Sequence, residues 1–158
     1  MAIANTLSTD YAGRKIDVHI FQGVNAPNSS DITPSFGKIS NYCTGIQKLV
    51  QRYTIALLTE LGSQPNFPGF GSPLITILTS SSNSYNRADL YPIFNRANAK
   101  VVKEFFAYDQ TANPPDDERL AGASLDSIKS TIDGGVAISV KIQTYATGPV
   151  AFVIPLPL

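Results

Sequence analysis

The sequence predicts an α+β fold: two long helices packed on one face of a C-terminal antiparallel β-meander, with an extra strand near the N-terminus. Three observations carry this. Apolar residues recur at threes and fours from Lys38 to Glu60, and again from Asp89 to about Asp109; from Val136 to Gln143 they alternate strictly. Helices followed by strands, without βαβ alternation, point to an antiparallel sheet with helices on one side.

Residues 1–13 are small and polar without sustained periodicity and read as an arm whose order depends on docking. From Lys15 the chain alternates, with Ile16, Val18 and Ile20 on one face and Asp17, His19 and Phe21 on the other, so a half-buried strand is expected. Gly23 to Pro34 (GVNAPNSSDITP) is rich in turn formers and reads as a loop. The organisation expected is an arm and strand over 1–37 and a helix-and-meander domain over 38–158.

Ile39, Cys43, Ile46, Val50, Tyr53 and Leu57 form one stripe of the first helix. Gly45 inside that pattern costs about 1 kcal/mol relative to alanine and suggests a close helix crossing. Gly62 stops the helix by entering the left-handed conformation, and Pro65 and Pro68 keep it from resuming. Glu60 sits where the helix dipole prefers a cation. Ser72-Pro73 reads as an N-cap followed by proline at the first helical position. The segment LITIL after it has strand-like branching but a helix-like start, and we assign it as helix. In the second long helix Ile93, Ala97, Val101, Phe105 and Tyr108 share a face, with Pro92 expected in the first turn. Phe94, Val102 and Phe106 widen that face, so cover on two sides is expected. TANPPDD ends the helix. Strands are expected over 118–132, 135–145 and 150–156, with Asp133-Gly134-Gly135 and Thr147-Gly148-Pro149 at the hairpins. In the middle strand Val136, Ile138, Val140 and Ile142 face the helices, and Ala137, Ser139, Lys141 and Gln143 face water.

At 158 residues one core suffices, and 12 basic against 12 acidic side chains give no net field to attract phosphate backbones or anionic membranes. Charged residues make up 15%, below the roughly 25% usual for soluble chains, which favours association. The single Cys43 excludes an internal disulfide and reads as a small buried hydrophobe rather than a nucleophile. No run is long enough to span a bilayer, and without a signal-peptide layout the chain is expected to be made and kept in a cytoplasm.

A helix ending LLTELGS, a proline-rich crossing, FGSPL, a second long helix, and then DERL, VAISVKIQTYATG and FVIPL occur in that order. Over Lys38 to Leu158 this resembles the small baseplate wedge subunit of contractile phage tails. That family is often labelled gene-25-like lysozyme and has relatives in type VI secretion baseplates. The most specific match is Leu58-Thr59-Glu60-x-Gly62 followed by Phe70-Gly71-Ser72. The family's Glu-Pro-Arg segment after the second helix is replaced by ANPPDDERL, with Pro115 and Arg119 differently spaced, so docking onto a baseplate core by that device is not implied. Residues 1–37 have no counterpart.

The resemblance implies a virion structural protein in the tail baseplate, present in six copies as a ring that anchors the first sheath disc. Extended sheath arms would join its sheet as strands, by β-augmentation. Partners implied are other wedge subunits and the sheath protein; no nucleic acid, membrane or cofactor is expected. Interaction candidates are Glu60, Gly62, Phe70, Gly71, Pro115, Arg119, Val150, Phe152, Ile154 and Leu156. Pro149, Pro155 and Pro157 suit an edge strand, or simply end one. The alternative is a peptidoglycan-cleaving enzyme, which needs two convergent carboxylates, one of raised pKa. Glu60 and Glu104 are candidates, as are Asp116, Asp117 and Glu118. Glu60 as an acceptor from backbone or an arginine, and the acidic triplet as a solvated turn, are the plainer readings. His19 lacks a nucleophile motif, and GFGS lacks the lysine and spacing of a phosphate loop.

Overall fold

The computed structural model describes residues 14–18, 21–22, 33–34, 42–80, 87–130, 135–146 and 148–156. In chain order these form β1 (Asp17–Val18), β2 (Phe21–Gln22), β3 (Thr33–Pro34), β4 (Tyr42–Cys43), α1 (Gly45–Leu58), α2 (Leu74–Ser80), α3 (Arg87–Ala112), β5 (Leu120–Ser130), β6 (Val136–Thr144) and β7 (Val150–Leu156). The last three make an antiparallel sheet of order β5-β6-β7, and β1 pairs with β4 and β2 with β3. The α+β class and helix-backed meander predicted from periodicity are thus present.

One core holds the elements together. Leu49, Tyr53 and Leu57 of α1, Leu74 of α2, and Phe94, Ala97 and Val101 of α3 meet Ile138, Val140 and Ile142 of β6 and Phe152 and Ile154 of β7. Each large side chain buried this way contributes about 1.5–3 kcal/mol. The Tyr53 ring meets Phe152 edge-on at 6.2 Å and Phe105 at 6.2 Å. Its hydroxyl donates to Asn98 Oδ1 at 2.6 Å, and burial pushes its phenol well above the usual range.

Several expectations at the N-terminal side are corrected. The single strand over 16–21 is instead two short strands in separate ladders, and Ile16 and Val18 stand 48% and 49% exposed. The reason is polar: Gln51 on α1 donates to Asp17 Oδ2 (3.3 Å) and to the Val18 carbonyl (2.8 Å), so Asp17 is drawn towards α1. Thr33 and Pro34, expected at the end of a loop, pair with β2 as β3, while residues 1–13 and 23–32, His19, Ile20, Ile39, the 133–134 turn positions, Thr147 and Pro157 lie outside the described residues. Helix α1 begins seven residues later than the 38–60 stripe suggests, because Cys43 is committed to β4 and Gly45 adopts φ +62°. Cys43 is buried all the same, and burial raises its thiol pKa to about 11. Gly45 marks no helix crossing. A Cβ there would lie 2.8 Å from Asp117 Oδ2, so glycine admits the α3–β5 turn to the start of α1.

Gly62 does not stop α1 as expected: the helix ends at Leu58 with Thr59 extended as its C-cap and Glu60 in a bridge, and Gly62 turns the connector beyond it. Gly62 has φ +83°, and Ser72 accepts the Leu74 N–H at 3.1 Å as the N-cap while donating to the Leu57 carbonyl at 2.5 Å. LITIL is helical, as the Ser-Pro start indicated. Glu60 and Ser72 form a parallel bridge, with Ser72 N–H donating to the Thr59 carbonyl at 2.8 Å. Gly71 sits inside this crossing at φ +101°, where a Cβ would come 2.6 Å from that same carbonyl. Lys100 of α3 donates to the carbonyls of Gly69 (2.6 Å) and Gly71 (2.8 Å) and pairs with Glu104, stitching the connector to the long helix.

Helix α3 is longer than predicted. Pro92 therefore lies in its second turn, where the ring removes a bond to the carbonyl four residues back; the residue is exposed. Phe94 is buried and Val102 partly so, but Phe106 and Tyr108 are each 40% exposed, so the far end of α3 is not covered on two sides. Arg52 lies over Tyr108 at 4.2 Å instead. Asn113, at φ +43°, ends the helix.

Gly71→Ala should lower unfolding free energy by about 2–3 kcal/mol in chemical denaturation, through positive φ and the clash with Thr59. Gly69→Ala, with no neighbour near its Cβ position, should cost under about 0.5 kcal/mol. Equal effects would contradict the crossing described.

Candidate functional site

The two borders of the meander are unlike. Along β5, side chains of α3 reach the outer backbone groups: Asp109 Oδ2 accepts the Leu120 N–H at 3.0 Å, and Asn98 Nδ2 donates to the Ala123 carbonyl at 2.9 Å. Asn98 is itself held by the Tyr53 hydroxyl. Long helix and first strand are thereby fastened through polar groups that would otherwise recruit another strand. Along β7, among the described residues, no strand pairs with the outer border.

Phe152, Ile154 and Leu156 are buried and Val150 is half-buried, all directed to the core. Their side chains are taken up on the inner face, which leaves Ala151 and Pro155 exposed and Val153 half-buried on the other face of β7. Phe70 packs partly against the core, and Gly71 is buried in the crossing. Glu60 and Gly62 are exposed on the connector. Pro115 and Arg119 lie apart from that group, at the α3–β5 turn. Arg119 contacts Asp116 (3.2 Å), Asn113 (3.4 Å) and the Tyr145 ring (5.3 Å). It lines both a cleft of about 390 Å³, shared with Phe106, Asp109 and Tyr145, and one of about 530 Å³, shared with Lys48, Pro115 and Glu118.

The acidic triplet is not simply a solvated turn. Glu118 is 3% exposed, accepts from Lys48 Nζ at 2.7 Å and from the Gly45 N–H at 3.2 Å, and Lys48 also donates to the Lys15 carbonyl at 2.6 Å. Asp117 pairs with Arg14 at 2.6 Å. These bonds tie β1's approach, the start of α1 and the α3–β5 turn into one knot. Seventy positions separate Lys48 from Glu118, and no local pattern announces the pair. Asn98 and Asp109 were missed for the same reason: each is an ordinary polar residue on a helix until the sheet is placed beside it.

The carboxylates weighed for hydrolysis are dispersed among separate partners. Glu60 accepts from the Thr76 hydroxyl at 3.0 Å and, among the described residues, neither from backbone nor from an arginine, and Glu104 pairs with Lys100. Asp109, 7% exposed, has its carboxyl pKa raised by burial, against smaller opposing pulls from the Leu120 N–H, Arg52 and Arg119; its Oδ1 has no hydrogen-bond partner among the described residues. Among the described residues no cluster of His, Cys, Asp and Glu is arranged to hold a metal ion, and no helix is long and apolar enough to cross a membrane. Comparison with protein-family models, curated proteins and solved structures finds no match to this chain.

Because the folded Asp109 binds its proton more tightly than the unfolded chain does, stability should fall as pH rises from the ordinary carboxylate pKa through the raised one, with the cost complete above it. Asp109→Asn, which keeps an acceptor for Leu120, should remove that part of the pH dependence of the urea midpoint. An unchanged profile would contradict the assignment. Lys48→Met, which strands Glu118 as a buried charge, should cost about 3–5 kcal/mol. Adding Glu118→Gln should recover part of that loss in a double-mutant cycle.

Proposed function

We propose that this chain is a structural subunit of a contractile-tail baseplate, present as a six-copy ring that receives an extended segment of sheath protein as an added strand. The observation that carries the reading is the asymmetry of the sheet: Asp109 and Asn98 of α3 engage the outer backbone of β5 at Leu120 and Ala123, whereas β7 has no strand beside it among the described residues. A border of this kind offers backbone donors and acceptors in fixed register. One added strand binds modestly, since each backbone hydrogen bond nets about 0.5–1.5 kcal/mol. Six equivalent borders on a ring make the attachment hold by multivalency.

The order of motifs from LLTELGS to FVIPL supports the same reading. The charge-poor composition suits a subunit surrounded by neighbours. Exposed Leu61 and Phe67 on the connector and Tyr91 and Phe106 on α3 supply apolar contacts for other wedge proteins. A location in the tail baseplate belongs to this proposal.

Particles produced without this chain should carry baseplates or tubes that lack an anchored sheath. Normally sheathed particles that fail to breach the cell wall, together with release of muropeptides by the purified protein, would instead support the peptidoglycan-cleaving alternative.

A further inference from the structure

In an antiparallel sheet the N–H and C=O of one residue point to the same neighbour, and successive residues point to opposite neighbours. Ala123 gives its carbonyl to Asn98 and therefore faces away from β6. Its ladder partner is Ile142, whose backbone groups consequently face β7, and Ile142 pairs with Val150. Leu120 gives the same answer independently: its N–H goes to Asp109, and its partner Thr144 has the same parity as Ile142. Carried along β7, this register turns the backbone of Phe152, Ile154 and Leu156 towards β6 and that of Ala151, Val153 and Pro155 outward.

Pro155 thus costs the internal ladder nothing and removes a donor from the outer border only. Pro149, two residues before Ala151, removes the next donor of that parity. The border therefore presents the donors and acceptors of Ala151 and Val153, with the Pro155 carbonyl as a final acceptor.

We infer that the outer border of β7 takes one proline-free extended segment of a different chain, paired through Ala151 and Val153 and ending at Pro155. This rests on the strand-addition reading of the sheet but not on the baseplate assignment. A second copy of the same border fits worse. With Ala151 opposite Val153, Pro155 falls opposite Pro149 and neither donates; the neighbouring registers leave a carbonyl of Ala151 or Val153 without a donor. A proline-free segment supplies an N–H to every outward carbonyl from Ala151 to Pro155. β7 carries no charge, and its inner neighbours are Phe152, Ile154 and Leu156, so the stretch paired with it is uncharged with apolar residues on its inner face, and charge is accommodated only beyond the paired stretch.

Amide hydrogen exchange, read residue by residue on the full chain by NMR, tests this. The probe is a synthetic peptide alternating threonine and valine with a lysine at each end; its control carries two adjacent central prolines. In the chain alone, Ala151 and Val153 amides should exchange about 100-fold faster than those of Phe152 and Ile154. Millimolar probe should slow Ala151 and Val153 by about tenfold, and the control should not. No slowing by the probe overturns the assignment. Slowing at Phe152 and Ile154 instead overturns this register while leaving strand addition standing. Protection of Ala151 and Val153 in the isolated monomer shows the border covered from within and removes both readings. Protection that grows with protein concentration alone makes a second copy the occupant.

Discussion

Two hydrogen bonds from helix α3 to strand β5, Asp109 to the Leu120 N–H and Asn98 to the Ala123 carbonyl, govern what the sheet can do. A three-stranded meander has two borders, and both begin as rows of unsatisfied backbone groups. Here the helix that supplies Phe94, Ala97 and Val101 to the core also supplies side chains that reach one border, so packing and edge protection come from the same element. The bonds also fix the parity of the whole sheet. From Ala123 outward, each residue's direction follows, down to Pro155 on the far strand.

The fastening has an electrostatic cost. Asp109 is buried, one of its oxygens has no hydrogen-bond partner among the described residues, and burial raises its pKa. The Lys48–Glu118 pair beside the α3–β5 turn is better compensated. The carboxylate accepts from both Lys48 and the Gly45 N–H, while the lysine also reaches the Lys15 carbonyl. A buried pair of this kind adds little net stability, yet removing one member is expensive, so it specifies how the start of α1 meets the turn. Gly45 is the steric counterpart of that choice, because only a residue without Cβ lets Asp117 approach so closely.

Much of this architecture was legible in the sequence because it rests on local periodicity. Val136 to Gln143 announced a half-buried strand, Ser72-Pro73 a helix start, and Gly62 a left-handed turn. Legibility failed where a distant residue decided the outcome. Ile16 and Val18 alternate like a buried strand, but Gln51 draws in Asp17 instead. Cys43 fits the helical stripe, yet pairing with β1 takes it out of the helix. Glu118 looked like a surface acid because its cation lies seventy positions away. Alternation along β7 did not say which residues it buries: Phe152 and Ile154 turn into the core, and Ala151 and Pro155 stand exposed on either side of them.

The central claim is that α3 fastens one border of the sheet through Leu120 and Ala123 while the other is left for a foreign strand. A high-resolution cryo-electron microscopy map of the particle that carries this chain tests it most directly. The account predicts an extra strand of another protein running beside β7, with Asn98 and Asp109 still covering β5. A strand added beside β5, or a β7 border bordered only by the chain's own residues, would contradict it.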